Sequence, residues 1–318
     1  MSGRDMKHSD HPVPVYLFGG EGTGWALDAD VETTRQSLLA LPELVRLTSL
    51  AEAEVIHSVW EYPLLNMDPS LLDGKRIICH ICNDLMRTYE DPSMVSAGET
   101  LGLWVAISRM AEKEIKRLGF KADYVPYSVD TSVFTEHVPE EALISLRKEY
   151  NIPENVFLIS SIMRDSSGAD VQRPKEQKGV ELFLAVVKEL NRKGHPVHIL
   201  LAGPRRHWLI GQVRRLTIPF AYVGKEVGKD DNDINILAPE KINLLYHLSD
   251  LHLVTSRWEG GPRAVLEAAA TKTPILCTPV GMAPDILEKK CLITAVDEAV
   301  AKVESALAHG RNDLELTA

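Results

Sequence analysis

Short continuous runs of apolar residues, rich in Val and Ile, alternate along this chain with segments whose apolar residues recur every three or four positions. Runs of the first kind read as strands buried on both faces of a parallel sheet, and segments of the second kind as the helices that cover it. The predicted strands of the first part are 15–19, 53–59, 76–82, 103–108 and 122–127. Those of the second part are 156–163, 197–203, 219–224, 251–256, 274–280 and 291–295. Residues 181–193 place Leu182, Phe183, Val186, Val187 and Leu190 on one stripe, with Arg192 and Lys193 in the last turn and Gly194 as the cap. Residues 240–248 align Ile242, Leu245 and Leu248, and Ser108 caps a helix that begins at Arg109.

Strand–helix alternation implies an α/β fold, and eleven strands are many for one sheet. The expectation is therefore two Rossmann-like domains facing each other across a cleft. Residues 1–12 read as a flexible tail, 13–135 as the first domain and 136–318 as the second. Strand signals stop over 130–142, where Pro139 and charged residues take over. Residues 165–177 and 225–238 lack periodicity and read as long loops, a length that in compact domains commonly serves function.

A length of 318 residues agrees with two domains, and no apolar run approaches the ~18 residues of a membrane span. Acidic residues outnumber basic ones 45 to 35, a net charge of −10. The excess is uneven, 20 against 12 (net −8) in residues 1–135 and 25 against 23 (net −2) in 136–318. Such a surface repels nucleic acid, and neither a nucleic-acid partner nor stable membrane insertion is expected. The basic helix 109–121 is the one stretch suited to a membrane surface, although a solvated amphipathic helix explains it more simply. The polar start, MSGRDMKHSDHP, has no signal-peptide core, so a cytoplasmic location with reduced thiols is expected, peripheral at the membrane at most. Cys79 and Cys82 form a C-x-x-C, but on a strand they face opposite sides, which disfavours a metal or a disulfide.

The strongest chemical signal lies in 251–281. A buried strand runs into Arg257-Trp258-Glu259-Gly260-Gly261-Pro262, and Pro262 fits the first position of a helix. The N–H groups at 260–262 and the positive end of the helix suit a phosphate. Glu259 precedes the helix and Glu267 lies about 7.5 Å along it, placed to accept from ribose hydroxyls. Arg164 follows one strand and Lys178-Gly179 opens the next helix, a pair of cations suited to a diphosphate. Together, 257–267 are expected to form a negatively lined pocket that faces Arg164 and Lys178 across the cleft. Gly19, Gly20, Gly22 and Gly24 follow the first strand, but Leu27 breaks the G-x-G-x-x-G pattern, so an NAD-dependent oxidoreductase is disfavoured. Gly224 ends another strand beside the second long loop. His80 and His57 sit near strand ends, where a structural role competes with a catalytic one; Asn83 and Asp84 follow His80. Asp28-Ala29-Asp30 and Asp231-Asn232-Asp233 are weak metal candidates, and Asp30 reads equally well as a helix N-cap. No G-x-S-x-G, H-E-x-x-H or Walker lysine loop is present.

Residues 218–287 resemble the carboxyl half of retaining, nucleotide-sugar-dependent glycosyltransferases of the GT-B fold, family 4 in particular. The Glu-x7-Glu motif of that family is matched by Glu259 and Glu267, its Pro-hydrophobic-Gly segment by TPILCTPVG, and its Arg…Lys-Gly pair by Arg164 and Lys178-Gly179 with a longer gap than usual. Its hinge is matched in part by Tyr127-Ser128-Val129-Asp130 with Phe134, its glycine loop by Gly19-Gly20, and its strand-end histidine by His80. Met282 and Asp285 depart from the pattern, and the first domain is short. The resemblance implies a retaining hexosyltransferase that moves a sugar from a UDP-, GDP- or ADP-sugar to an unidentified acceptor hydroxyl of a glycan, a lipid-linked sugar or a small molecule. By the same resemblance Glu259, His80, Arg164 and Lys178 would be catalytic. Glu267, Gly260, Gly261, Pro262, Gly19, Gly20 and Gly224 would bind the donor, and no metal or other cofactor would be required. A non-catalytic nucleotide-sugar binder or partner subunit is the alternative, and a sugar-nucleotide epimerase a more distant one.

Overall fold

The computed structural model describes residues 11–22, 26–82, 102–166 and 168–310. The chain divides into two compact units, Met1–Pro126 and Tyr127–Ala318.

The first unit holds a six-stranded, all-parallel sheet in the order β2-β1-β3-β4-β5-β6. Its strands are β1 (Val13–Phe18), β2 (Val45–Leu47), β3 (Val55–Ser58), β4 (Arg76–Ile81), β5 (Leu103–Ala106) and β6 (Ala122–Tyr124). Helices α1 (Ala26–Leu39), α2 (Glu61–Leu65) and α3 (Arg109–Arg117) intervene. Ile56, Ile77, Cys79, Ile81 and Trp104 from the sheet pack with Ile115 of α3 in one core. Ser108 caps α3 as expected, its hydroxyl accepting from the Ala111 N–H at 3.1 Å. The sheet gains one strand that sequence did not announce. β2 is three residues long, with Arg46 exposed at its centre. Asp30 is not an N-cap. The helix begins at Ala26, and Asp28 in its first turn accepts from the Gly22 N–H instead.

The second unit holds a five-stranded, all-parallel sheet in the order β11-β10-β7-β8-β9. Its strands are β7 (Phe157–Ile162), β8 (Val197–Ala202), β9 (Phe220–Val223), β10 (Leu251–Val254) and β11 (Ile275–Cys277). Helices α4 (Glu140–Glu149), α5 (Val180–Arg192), α6 (His207–Arg215), α7 (Pro239–Leu248), α8 (Ala264–Ala270), α9 (Ala283–Ile286) and α10 (Val296–His309) complete it. One core joins α5, α6 and α10 to the sheet through Phe183, Val187, Leu209, Val213 and Val303. Another joins α4 and α7 to it through Leu146, Leu245 and Leu248. Every residue of β8 and β10 is buried, which is why their sequences are apolar without alternation. The predicted strand 291–295 does not form. Lys289–Cys291 make a short 3-10 turn, and Leu292 contributes a single parallel bridge to Cys277.

Residues 127–135, assigned by sequence to the first domain, pack in the second unit. Phe134 is buried there against Tyr246, Val254 and Val265, with Val129 and Val133 beside it. Asp130 closes a turn by accepting from the N–H and hydroxyl of Ser132 at 2.9 and 2.6 Å.

Each strand order reverses once, between β1 and β3 in the first sheet and between β7 and β10 in the second. In open parallel sheets the crevice for a ligand lies at the carboxyl ends of the strands flanking such a reversal. The singled-out residues fall there. Gly19 and Gly20 follow β1, Arg164 follows β7, and Glu259 follows β10.

Candidate functional site

In the second unit the site is built by one tight crossing of backbones. The 3-10 turn Glu176–Lys178 ends at Gly179, whose φ of +54° opens α5. A Cβ at Gly179 would overlap the Thr255 carbonyl oxygen, so the start of α5 lies directly on the end of β10. The crossing is fastened on both sides. The Arg257 N–H donates to the Gln177 carbonyl at 2.7 Å, and the Thr255 hydroxyl donates to the Lys178 carbonyl at 3.3 Å. It brings Lys178 Nζ to Glu259 Oε1 at 2.5 Å.

Sequence placed Lys178 opposite Glu259 across a cleft; in the structure the two form a direct ion pair inside one unit. Their side chains are 24% and 13% exposed, so water still screens the pair and its net worth is about 1 kcal/mol. The Ser256 hydroxyl donates to the same Oε1 at 2.8 Å. Oε2 of Glu259 bonds no side chain or backbone group among the described residues.

Gly281, with φ +51°, is packed so closely that a Cβ would overlap the carbonyl oxygen of Gly260 and meet that of Glu259 at 2.7 Å. The loop after β11 therefore fixes the backbone of the Glu259-Gly260 turn. Gly260 is buried, and on Gly261 a Cβ would lie 3.1 Å from the Tyr127 ring and 3.2 Å from Met282 Sδ. Pro262 is not the first residue of the helix. α8 starts at Ala264, and the Pro262 carbonyl accepts from the Val265 N–H at 3.0 Å. Proline also has no N–H, so the backbone donors of this turn are those of Gly260 and Gly261.

Glu267 is held from behind. The buried Tyr246 hydroxyl on α7 donates to its Oε2 at 2.7 Å, and the Arg263 charge lies one helical turn away. Burial pushes the Glu267 carboxyl up, against the pull of Tyr246 and Arg263. Arg263 in turn stacks on Tyr127, 4.8 Å from the ring centroid. Tyr246, Arg263, Tyr127 and Ser256 were not read from sequence as site residues. Tyr246 left a trace, since it falls beside the buried stripe of α7 with a hydroxyl that needs a partner there. Arg164 is half-buried two residues beyond β7, and the next residue, Asp165, pairs with Arg206 at 3.4 Å with both side chains fully buried. Gly224 packs against the Tyr222 ring and Asn235, whose amide brackets Lys225 at 2.7 and 2.9 Å.

In the first unit Gly19 and Gly20 pack closely. A Cβ on Gly19 would come 2.9 Å from the N atoms of Val59 and Trp60, and one on Gly20 would overlap the Asp28 carboxylate. Gly24, Asn83 and Asp84 lie outside the described residues. His80 lies within β4, and its Nε2 is 2.8 Å from Nε2 of His57. Burial holds both imidazoles down, His57 to about 4 and His80 to about 3, the latter also through His57. The pair is neutral at pH 7, one ring donating and the other accepting.

The weak metal candidates have other work. Asp231 accepts from the N–H of Arg205 at 2.7 Å and from Asn235 at 2.5 Å. Among the described residues no group of three His, Cys, Asp or Glu side chains could hold a metal ion, and the four cysteines form no disulfide. Three of the cations of α3 pair on their own helix, Arg109 and Lys116 with Glu112 and Arg117 with Glu114. Among the described residues no helix is long and apolar enough to cross a membrane.

Residues 170–309 match the family described as glycosyl transferases group 1, so the second unit carries a domain of that kind. The alpha-galactosylglucosyldiacylglycerol synthase of Streptococcus pneumoniae (strain ATCC BAA-255 / R6) is 25% identical over 230 residues, 71% of this chain. The chain spans 56% of the length of that relative. Among solved structures, Anabaena HepE in complex with UDP-glucose superposes with a TM-score of 0.70 at 13% identity, covering 96% of this chain and 92% of its own. A glycosyltransferase from Rickettsia africae ESF-5 gives 0.64 at 12% identity, covering 96% and 91%. These likenesses show the fold, two Rossmann-like α/β domains of the GT-B type.

Proposed function

With a glycosyl transferases group 1 domain over residues 170–309 as the premise, we propose that this protein is a retaining glycosyltransferase that moves a hexose from a UDP-sugar to an acceptor hydroxyl. The observation that carries the reading is the meeting of Lys178 and Glu259 at the strand-order reversal of the second sheet, with Glu267 fixed by Tyr246 beside it. The UDP-glucose complex of the structurally similar HepE favours uridine over the other bases.

In this reading Oε1 of Glu267, which bonds no group among the described residues, accepts from ribose hydroxyls, while Oε2 is occupied by Tyr246. Lys178 keeps one N–H on Glu259 and turns the others to the diphosphate, joined by Arg164. Oε2 of Glu259 and the N–H groups of Gly260 and Gly261 take the hexose. As the bond from the anomeric carbon to the diphosphate oxygen breaks, positive charge grows on the sugar and negative charge on the leaving oxygen. Preorganised cations and amides stabilise the latter, the role a divalent metal plays elsewhere. The acceptor oxygen forms the new bond on the same face, and its proton passes to the departing phosphate oxygen.

Lys178→Ala and Glu267→Ala are expected each to reduce UDP release from UDP-glucose by at least a hundredfold, with circular dichroism and melting unchanged. Addition of EDTA is expected to leave the wild-type rate unaltered. Undiminished turnover in both variants would refute the assignment.

A further inference from the structure

The reversal of strand order between β1 and β3 gives the first unit a ligand crevice of its own, at the carboxyl edge of its sheet. Two aromatic residues stand at that edge. Trp60 lies two residues beyond the end of β3, and Tyr62 lies in the first turn of α2. Their ring centroids are 5.4 Å apart and their planes are tilted by 58°. The turn that carries them is fixed. The Val59 N–H donates to the Phe18 carbonyl at 3.0 Å, and the Ser58 hydroxyl donates to the Trp60 carbonyl at 2.6 Å. A Cβ on Gly19 would come within 2.9 Å of the Trp60 nitrogen, so the glycine loop after β1 lies against the same turn.

α2 anchors itself without either ring. Leu64 enters the core of the unit, and buried Glu61 accepts at Oε2 from the Cys82 N–H at 3.2 Å. Trp60 is half-buried and Tyr62 is 43% exposed. Neither the indole N–H nor the phenol hydroxyl has a hydrogen-bond partner among the described residues. A single exposed aromatic is ordinary, but two in contact at the crevice of a parallel sheet make a platform. The platform offers an apolar face with one polar group at the edge of each ring. A wholly apolar ligand would leave those polar groups unmatched. A phosphate or carboxylate would meet an acidic surrounding, since Glu61 stands between the two rings in the chain and residues 1–135 hold 20 Asp and Glu against 12 Lys and Arg. A neutral pyranose satisfies both limits, its C–H face on the rings and its hydroxyls at their edges.

We propose that Trp60 and Tyr62 form a binding platform for a neutral pyranose, the sugar that accepts the transferred hexose. The acceptor role rests on the glycosyltransferase reading; the platform does not.

The test is saturation-transfer NMR on the full chain with the methyl glycosides of glucose, galactose and mannose and with glucose 6-phosphate. At least one glycoside should give saturable transfer, strongest at its ring C–H protons, and glucose 6-phosphate should bind at least tenfold more weakly. Tyr62→Ala and Trp60→Ala should each raise the half-saturating concentration at least fivefold. Tyr62→Phe, which keeps the ring, should bind at least twofold more tightly than Tyr62→Ala. Melting is measured alongside, and the exposed Tyr62 decides the matter if Trp60→Ala loses its fold. The platform is overturned if no glycoside saturates, if glucose 6-phosphate binds as tightly, or if Tyr62→Ala titrates like wild type. UDP-induced stabilisation of the same protein tests the donor reading separately. Its absence would remove the acceptor role and leave the titration to decide the platform. Where UDP stabilises the protein, the glycoside that binds should accelerate UDP release from UDP-glucose at least tenfold; an unchanged rate would overturn the acceptor role.

Discussion

Replacing Gly179 with alanine tests the crossing that brings Lys178 to Glu259. The backbone there is left-handed, a conformation that costs a side chain about 1–2 kcal/mol. The added methyl would also overlap the Thr255 carbonyl oxygen, backbone against backbone, with the Thr255 carbonyl carbon at 3.0 Å. Relieving that overlap adds about 1–3 kcal/mol, for a total of roughly 2–5 kcal/mol. Gly194 provides the control. Its φ is +79°, but a Cβ there would meet nothing within 4 Å, so alanine should carry only the backbone cost. In urea the Gly179→Ala midpoint should fall below that of Gly194→Ala by roughly 0.5 M, given slopes of about 1–3 kcal/mol per molar. Because the shift separates Lys178 from Glu259, UDP-glucose affinity measured by calorimetry should drop at least tenfold in Gly179→Ala and hold in Gly194→Ala. Equal midpoints, or equal affinities, would refute the account of how this site is assembled.

Tyr246→Phe removes a hydrogen bond to a carboxylate, worth about 1.5–3 kcal/mol, and should weaken UDP binding at least tenfold by calorimetry; unchanged binding would show that Glu267 needs no brace. Arg206→Leu strands Asp165 in the core and should cost about 3–5 kcal/mol in urea unfolding, much of it recovered by adding Asp165→Asn; an additive double variant would mean the two do not act as a pair. Acid should loosen the first unit before the second. His57, His80 and His252 are held by burial to about 4, 3 and 3, below their unfolded value of 6.5, so each binds fewer protons when folded. Stability from each is full above pH 6.5 and declines as pH falls through the folded values, by roughly 2 kcal/mol at pH 5. Asp165 is pushed up to about 6, so it binds protons more tightly when folded and opposes that decline by roughly 1 kcal/mol at pH 5. His57 and His80 lie in the first unit, His252 and Asp165 in the second. At pH 5 these four groups alone remove roughly 4 kcal/mol from the first unit and 1 from the second, and hydrogen exchange resolved by unit should show the difference; equal losses would contradict it.

The sheets were legible because strands buried on both faces write themselves as continuous apolar runs, as in 199–202. Failures occurred where burial was slight or tertiary. β2 is too short and too exposed at Arg46 to stand out. Residues 291–295 are apolar because Cys291 and Ile293 enter two different cores, not because they extend a sheet. The Glu-x7-Glu spacing and the Lys-Gly dipeptide were visible because they sit on the chain at fixed separations. Sequence could not reveal that Lys178 touches Glu259, since 81 residues separate them and the contact depends on one glycine crossing one carbonyl. Nor did it reveal that Tyr246 and Tyr127, the latter read only as part of a hinge, meet the site through folding. His80 was found, but its bond to His57 is a register effect between neighbouring strands.

The packing of residues 127–135 bears on how such proteins can be recombined. Tyr127 lies against Gly261 and Arg263, and Phe134 fills the core beside β10. A chimera that exchanged amino-terminal halves at residue 136 would import a foreign lining against the Gly261–Arg263 turn together with the new half. The seam that leaves each partner its own interior falls between Pro126 and Tyr127.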